Sequence, residues 1–138
     1  METCKSMTRE ISRIAAKHGL DLTKTEAHLR LTLPGFMPLV IEKVGRNLVT
    51  VTHYFYQNGD TLADPDVMFC MYPDGWVPVE MTQCAPGGYT RVAWLGSDGT
   101  IAKFAPKAMR GVAALCRTWA TNIRDQGWCA RGVKEDAA

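Results

Sequence analysis

Lysine and arginine are missing from the middle of the chain. Between Asn47 and Thr90 there is no lysine or arginine, while Asp60, Asp64, Asp66, Asp74 and Glu80 all fall inside that stretch. No apolar run approaches the about 20 residues that a helix needs to cross a bilayer, so no membrane association is expected. Met1–Lys17 is polar with a helical period, unlike the apolar core of a secretory leader. The five cysteines, Cys4, Cys70, Cys84, Cys116 and Cys129, are odd in number and show no paired metal-ligand spacing. That pattern fits neither a zinc site nor a disulfide framework. Reduced, mostly buried thiols in a cytoplasmic protein are the expectation. The chain is also poor in catalytic signatures. Ser6, Ser12 and Ser97 stand in no nucleophile elbow, and no glycine loop of the phosphate-cradling kind is present. No enzyme activity and no cofactor are therefore expected.

With 138 residues, 46% of them hydrophobic and 22% charged, the chain has ordinary globular composition. A single domain over 1–130 with a frayed tail over 131–138 is expected. The formal net charge of +2 hides a polarity along the sequence. From Lys103 to Lys134 the basic residues Lys103, Lys107, Arg110, Arg117, Arg124, Arg131 and Lys134 are opposed only by Asp125. Separated charge of this kind can orient a charged partner before contact; solvated surface is the bland alternative.

Met7, Ile11, Ile14, Ala15 and His18 recur at helical spacing before Gly19, which predicts a helix over about residues 5–18. His18 in its last turn is placed as a cation against the helix dipole. Alternation predicts strands over Leu29–Leu33, Leu39–Lys43 and Leu48–Gln57. After a loop over Asn58–Pro65, further strands are predicted over Val67–Tyr72, Trp76–Cys84, Tyr89–Leu95 and Ile101–Phe104. Pro78 marks an edge or a bulge. Strands at such regular intervals with short turns describe an antiparallel meander. Pro106 opens a helix whose apolar stripe is Met109, Val112, Ala113, Cys116, Trp119, Ala120 and Ile123, with Gly127 as its stop. Gly111 inside that helix suggests a close approach of its backbone to the sheet. The fold class is thus α+β: a meander of about five to seven strands, an N-terminal helix and a long C-terminal amphipathic helix.

The most distinctive stretch is His53-Tyr54-Phe55-Tyr56-Gln57-Asn58-Gly59-Asp60, continuing to Asp64-Pro65-Asp66. Asn-Gly is a strong turn signal, and carboxylates in such a loop often cap turns and face water. A sharper alternative is a hard-cation site at Asp60, Asp64 and Asp66, although the spacing is not that of an EF-hand. His53 shares a strand face with Val49, Val51 and Phe55, so a structural role outweighs that of a general base. Tyr54 and Tyr56 lie on the opposite face, either exposed as a protein-binding patch or covered by the N-terminal helix. Arg110, Arg117 and Arg124, spaced by seven, share one side of the C-terminal helix, with Lys103 and Lys107 extending it; such a stripe could contact phosphates.

These residues resemble a family. Leu33-Pro34-Gly35-Phe36-Met37-Pro38-Leu39-Val40-Ile41-Glu42 matches one part of its pattern, and the His53–Asp60 run with Asp64-Pro65 matches another. Trp119-Ala120-Thr121-Asn122 and Gln126-Gly127 are also similar. The resemblance, over roughly Leu29 to Gly127, is to an uncharacterised domain carried on bacterial plasmids, phages and integrative elements. It implies no catalytic role. It implies a small accessory protein of a mobile element, in a setting where genes that counter host defence are common.

Three functions follow as expectations. The first is a non-enzymatic protein that docks on a host or element-encoded protein, such as an anti-CRISPR or antirestriction inhibitor. Its contacts would be Tyr54, Tyr56, Asn58, Asp60, Asp64, Asp66 and Asp74. The second is a nucleic-acid-binding accessory protein using Lys103, Lys107, Arg110, Arg117 and Arg124. The third is a metal-dependent hydrolase at Asp60, Asp64 and Asp66.

Overall fold

The computed structural model describes residues 1–57, 60–83 and 88–135; over 54–57 and 60–64 it describes the backbone only. Helix α1 (Lys5–Lys17) buries Met7, Ile11, Ile14 and Ala15 along one side, as its period dictates. Gly19, at φ +72°, turns the chain out of the helix in the left-handed conformation that glycine tolerates best.

Strands β1 (His28–Leu33), β2 (Phe36–Gly45), β3 (Leu48–Gln57), β4 (Asp60–Tyr72), β5 (Gly75–Thr82) and β6 (Tyr89–Arg91) follow. Each pairs antiparallel with its sequence neighbour, so the meander expected from sequence is the observed topology. β7 (Ala93–Leu95) and β8 (Ile101–Phe104) form a separate hairpin. Then come α2 (Pro106–Gln126), the short α3 (Trp128–Arg131) and β9 (Val133–Lys134), which pairs with β1 and makes the larger sheet seven-stranded.

Leu31, Leu39, Ile41, Val49, Val51, Val67 and Phe69 face the helices and, with the α2 stripe, form one core. All seven stripe residues expected from the sequence are buried. Removing a large apolar side chain of this kind from water is worth about 1.5–3 kcal/mol, so the stripe is what fastens α2 to the sheet. α1 lies in the same layer, against α2, α3 and β5. The two sides of the sheet therefore differ: one carries all three helices, the other does not. α1 packs on the inner face; the Tyr54 and Tyr56 side chains lie outside the described residues. Among the described residues no helix is long and apolar enough to cross a membrane.

Several details differ from the sequence expectations. β2 runs from Phe36 to Gly45, longer than Leu39–Lys43. The predicted loop over Asn58–Pro65 is mostly strand, since pairing begins at Gln57 with Asp60. Asp64 and Pro65 are not turn residues. They fall where the register slips between Thr52, paired with Asp66, and Tyr54, paired with Ala63. A bulge frees one position from the ladder, which suits a residue with no N–H. Asn58 and Gly59 lie outside the described residues. Pro78 does sit at a bulge, beside the slip between Met68 and Phe69.

The predicted strand Tyr89–Leu95 is broken at Val92, whose N–H donates to the Val79 carbonyl at 2.8 Å and whose carbonyl accepts from Ala105 N–H at 2.9 Å. Gly111 meets nothing: an added Cβ would have no atom within 4 Å. It is exposed on the outer side of α2 and serves no close approach. At the chain end read as a frayed tail, Arg131 closes α3, Val133 and Lys134 form β9, and Glu135 N–H donates to Arg30 O at 2.9 Å. Residues 136–138 lie outside the described residues.

Candidate functional site

Strand alternation gives the helix-free face of the sheet its residues. Val40, Thr52, Asp66 and Thr82 stand opposite one another across β2–β5, and Glu42, Thr50, Met68 and Glu80 form the neighbouring row. At one end this face is closed by the β7–β8 hairpin. There the Cys70 thiol donates to Gly99 O at 3.9 Å, and Tyr72 Oη accepts from Ile101 N–H at 3.0 Å. The remainder carries three carboxylates, Glu42, Asp66 and Glu80.

These carboxylates feel one another. The Asp66 carboxyl is pushed above the usual carboxylate range, first by its own burial and then by the charges of Glu80 and Glu42; a hydrogen bond with Thr52 partly opposes this. Glu80 is tied at the sheet edge, where Arg91 Nη1 approaches to 3.5 Å and Tyr89 Oη donates to the same carboxylate oxygen. Glu42 and Asp66 make no ion pair among the described residues. One partly neutralised carboxylate, Glu80, one without an ion pair among the described residues, Glu42, and a destabilised third, Asp66, thus share this side of the sheet.

Of the contacts expected from the sequence, Asp66 is on this surface among the described residues. Asp74 lies in the turn between β4 and β5, exposed, beside Lys5 and Arg9 of α1, so it does not join the group. The backbone places Tyr54, Tyr56, Asp60 and Asp64 on the extension of the β3–β4 hairpin beyond Asp66. Their side chains, and Asn58 altogether, lie outside the described residues. Of the metal trio Asp60, Asp64 and Asp66, only the last is placed, and no group of three ligands able to hold a metal occurs among the described residues. Glu42 was missed because it lies outside the acidic run. Only the strand register, which brings β2 beside β3 and β3 beside β4, sets it near Asp66.

His53 faces the core, as its strand parity implied. Its Nδ1 accepts from Trp119 Nε1 at 3.3 Å, and its ring lies between Trp119 and Trp128, with centroids 5.9 and 5.4 Å away. Burial pulls its pKa down to about 4, so it is a neutral acceptor at physiological pH. At His18, burial, then Lys17 and Lys134, pull the imidazole below its ordinary value, which works against a cation on the helix end.

Most of the basic residues expected as a stripe lie on α2. Lys107, Arg110, Arg117 and Arg124 are exposed along α2, and Lys103 on β8 holds its ammonium 5.2 Å from the ring centroid of Trp94. Arg117 pairs with Glu2 at 2.9 Å and Arg124 with Asp125 at 3.3 Å. Among the described residues no ion pair joins these arginines to the carboxylates of the central acidic run. The exposed side of α2 is mainly basic, whereas on the helix-free face Glu42, Asp66 and Glu80 share their rows with Arg30, opposite Val40, and Arg91, opposite Glu80.

A family model described as "Domain of unknown function (DUF6908)" matches residues 9–129. No curated protein and no solved structure matches the chain.

Proposed function

The chain belongs to the DUF6908 family, a domain of unknown function, and from that premise we propose that it is a non-enzymatic accessory protein of a mobile genetic element, docking on a basic protein surface through the helix-free face of its sheet. The observation that carries this reading is the group Glu42, Asp66 and Glu80. Burial, and then the charges of Glu80 and Glu42, raise the Asp66 carboxyl above its ordinary value. A group kept against its own stability is explained when a partner supplies the missing positive charge. The partner chemistry that fits is the basic channel of a nucleic-acid-handling protein, where carboxylates stand in for phosphates. In concrete form the chain is a cytoplasmic anti-CRISPR or antirestriction inhibitor. Tyr54, Tyr56, Asn58, Asp60 and Asp64, which neighbour Asp66 in the sequence, are proposed to extend the contact.

Competition tests this. Purified defence complexes are loaded with labelled nucleic acid and titrated with the chain at two salt concentrations. Displacement that weakens at high salt, and weakens by about tenfold or more in the Glu42→Lys variant and in the Asp60→Lys/Asp64→Lys variant, is expected. Displacement unaffected by both charge reversals would remove the reading.

A second reading is supported by the exposed Trp94 with Lys103 against it, close in sequence to Lys107 and Arg110, which make no ion pair among the described residues. An aromatic ring beside cations suits a single-stranded nucleic acid. A gel shift at low salt that disappears in the Trp94→Ala variant would favour it over docking by the acidic face.

A further inference from the structure

Helices α1 and α2 leave a small cleft where they pack. On α1, Ser6, Arg9, Glu10 and Arg13 recur at one flank of the helix; on α2, Thr121 and Arg124 answer them. The small, buried Ala120 at the base of the cleft lets the helices come close. The space is about 60 Å³, room for a phosphoryl group and not for a nucleoside.

The charges around it are unequal. Arg9, Arg13 and Arg124 bring three guanidinium groups, and Glu10 brings the one carboxylate of the lining. Glu10 is almost wholly buried, and Arg13 Nη1 is bound to it at 3.0 Å, so that carboxylate fixes one arginine in place. Arg9 makes no ion pair among the described residues. Arg124 leans on Asp125, but both side chains are well exposed, at 60% and 64%; a contact of that kind is worth little and is readily exchanged. With Glu10 set against one arginine, two positive charges remain, the charge of a phosphate dianion reversed. Ser6 adds an independent observation. Its Oγ is buried at the cleft and has no hydrogen-bond partner among the described residues. A buried hydroxyl without a partner costs free energy and calls for one.

We propose that this cleft binds a phosphate group, with Arg9 and Arg124 forking onto its oxygens and Ser6 Oγ–H donating to one of them. Guanidinium forks are the side chains best matched to phosphate oxygens. Arg13, held by Glu10, adds charge from the far side. The site lies on the opposite layer from the acidic face and does not depend on the docking reading. The phosphate could belong to a free phosphomonoester, to a nucleic-acid terminus or to an internal diester. The small volume favours a terminal group, because an internal diester would have to pass its chain through both ends of the cleft.

Isothermal titration at low salt tests the inference with three probes: inorganic phosphate, a 5′-phosphorylated oligonucleotide, and the same oligonucleotide without that phosphate. Saturable binding of inorganic phosphate at about the millimolar level is expected. Arg9→Gln and Arg124→Gln should each weaken it by about tenfold, and Ser6→Ala by about threefold or more. Arg46→Gln, an exposed charge far from the cleft, should leave it unchanged. Binding of the phosphorylated oligonucleotide alone among the two would name a terminal phosphate as the source; equal binding of both, sensitive to Arg9→Gln, would name the diester. The inference is overturned if no probe binds, or if Arg9→Gln and Arg124→Gln bind as the parent does, or if Arg46→Gln weakens binding as much as they do. The arginines are exposed, so thermal melts of these variants should match the parent and keep the comparison valid.

Discussion

His53 and Asp66 are both displaced from their ordinary ionisation, with opposite effects on stability. The His53 value of about 4 lies below the 6.5 of a free imidazole. Above pH 6.5 neither the folded nor the unfolded state carries the proton. As pH falls below 6.5 the unfolded chain takes it up first, so stability is lost progressively down to about pH 4, by up to about 3 kcal/mol. His18, lowered as well, contributes in the same direction. His53→Gln keeps an acceptor for Trp119 and should flatten, without abolishing, the fall in denaturation midpoint over this range; an unchanged pH profile would show that His53 is not the source. For Asp66 the folded value is raised above 3.8. Stability is therefore lost as pH rises above 3.8, where the unfolded chain releases the proton more readily. Asp66→Asn retains the hydrogen bond with Thr52 and should raise Tm at pH 7 while weakening association with a basic partner. A lowered Tm would contradict the account of Asp66 as a carboxylate held against its own preference.

Glycines at two points of α2 separate what the sequence could say of this element from what it could not. The stripe from Met109 to Ile123 was legible because seven positions share one period and all of them are buried. The ends of β3 were legible for the same reason, with period two in place of 3.6. Gly111 was misread: a glycine inside a helix can mark a close neighbour or merely an uncorrected cost, and only the surroundings decide. They are empty, so Gly111→Ala should stabilise by up to about 1 kcal/mol in urea unfolding. Gly127 is the reverse case. It ends α2 at φ +84°, and a Cβ there would lie 3.1 Å from Arg131 Cδ. Gly127→Ala should destabilise by about 1 kcal/mol or more. The break at Val92, the bulge at Asp64-Pro65 and β9 were not legible, because each is imposed by a partner far along the chain: Val79, His53's neighbours on β3, and β1 respectively. The candidate site shows the same division. Asp66 stood out in an acidic run, but the run joined it to Asp74, which the fold carries to the far end of β4, and left out Glu42, which the register brings near.

The whole molecule is a sheet and a layer of helices enclosing one core, and its thiols report on that enclosure. Cys4, Cys70 and Cys116 are buried and Cys129 is half-buried, all four free. The hydrogen bond with Cys4, together with burial, pushes the Cys116 thiol up and keeps it unreactive. Alkylation of the native protein, read peptide by peptide in a mass spectrometer, should modify Cys129 well before Cys4, Cys70 and Cys116. Early labelling of Cys116 would mean that α2 opens without the rest of the molecule unfolding. That possibility bears on how the protein is made. Strands β1 to β6 leave the ribosome before α2, so the apolar side of the sheet emerges with only α1 to shield it. Until Pro106–Gln126 clears the exit tunnel, the nascent meander is a sticky, half-covered plate. Its yield in a cell should then depend on the pace of translation through that interval and on the chaperones that hold the unfinished chain.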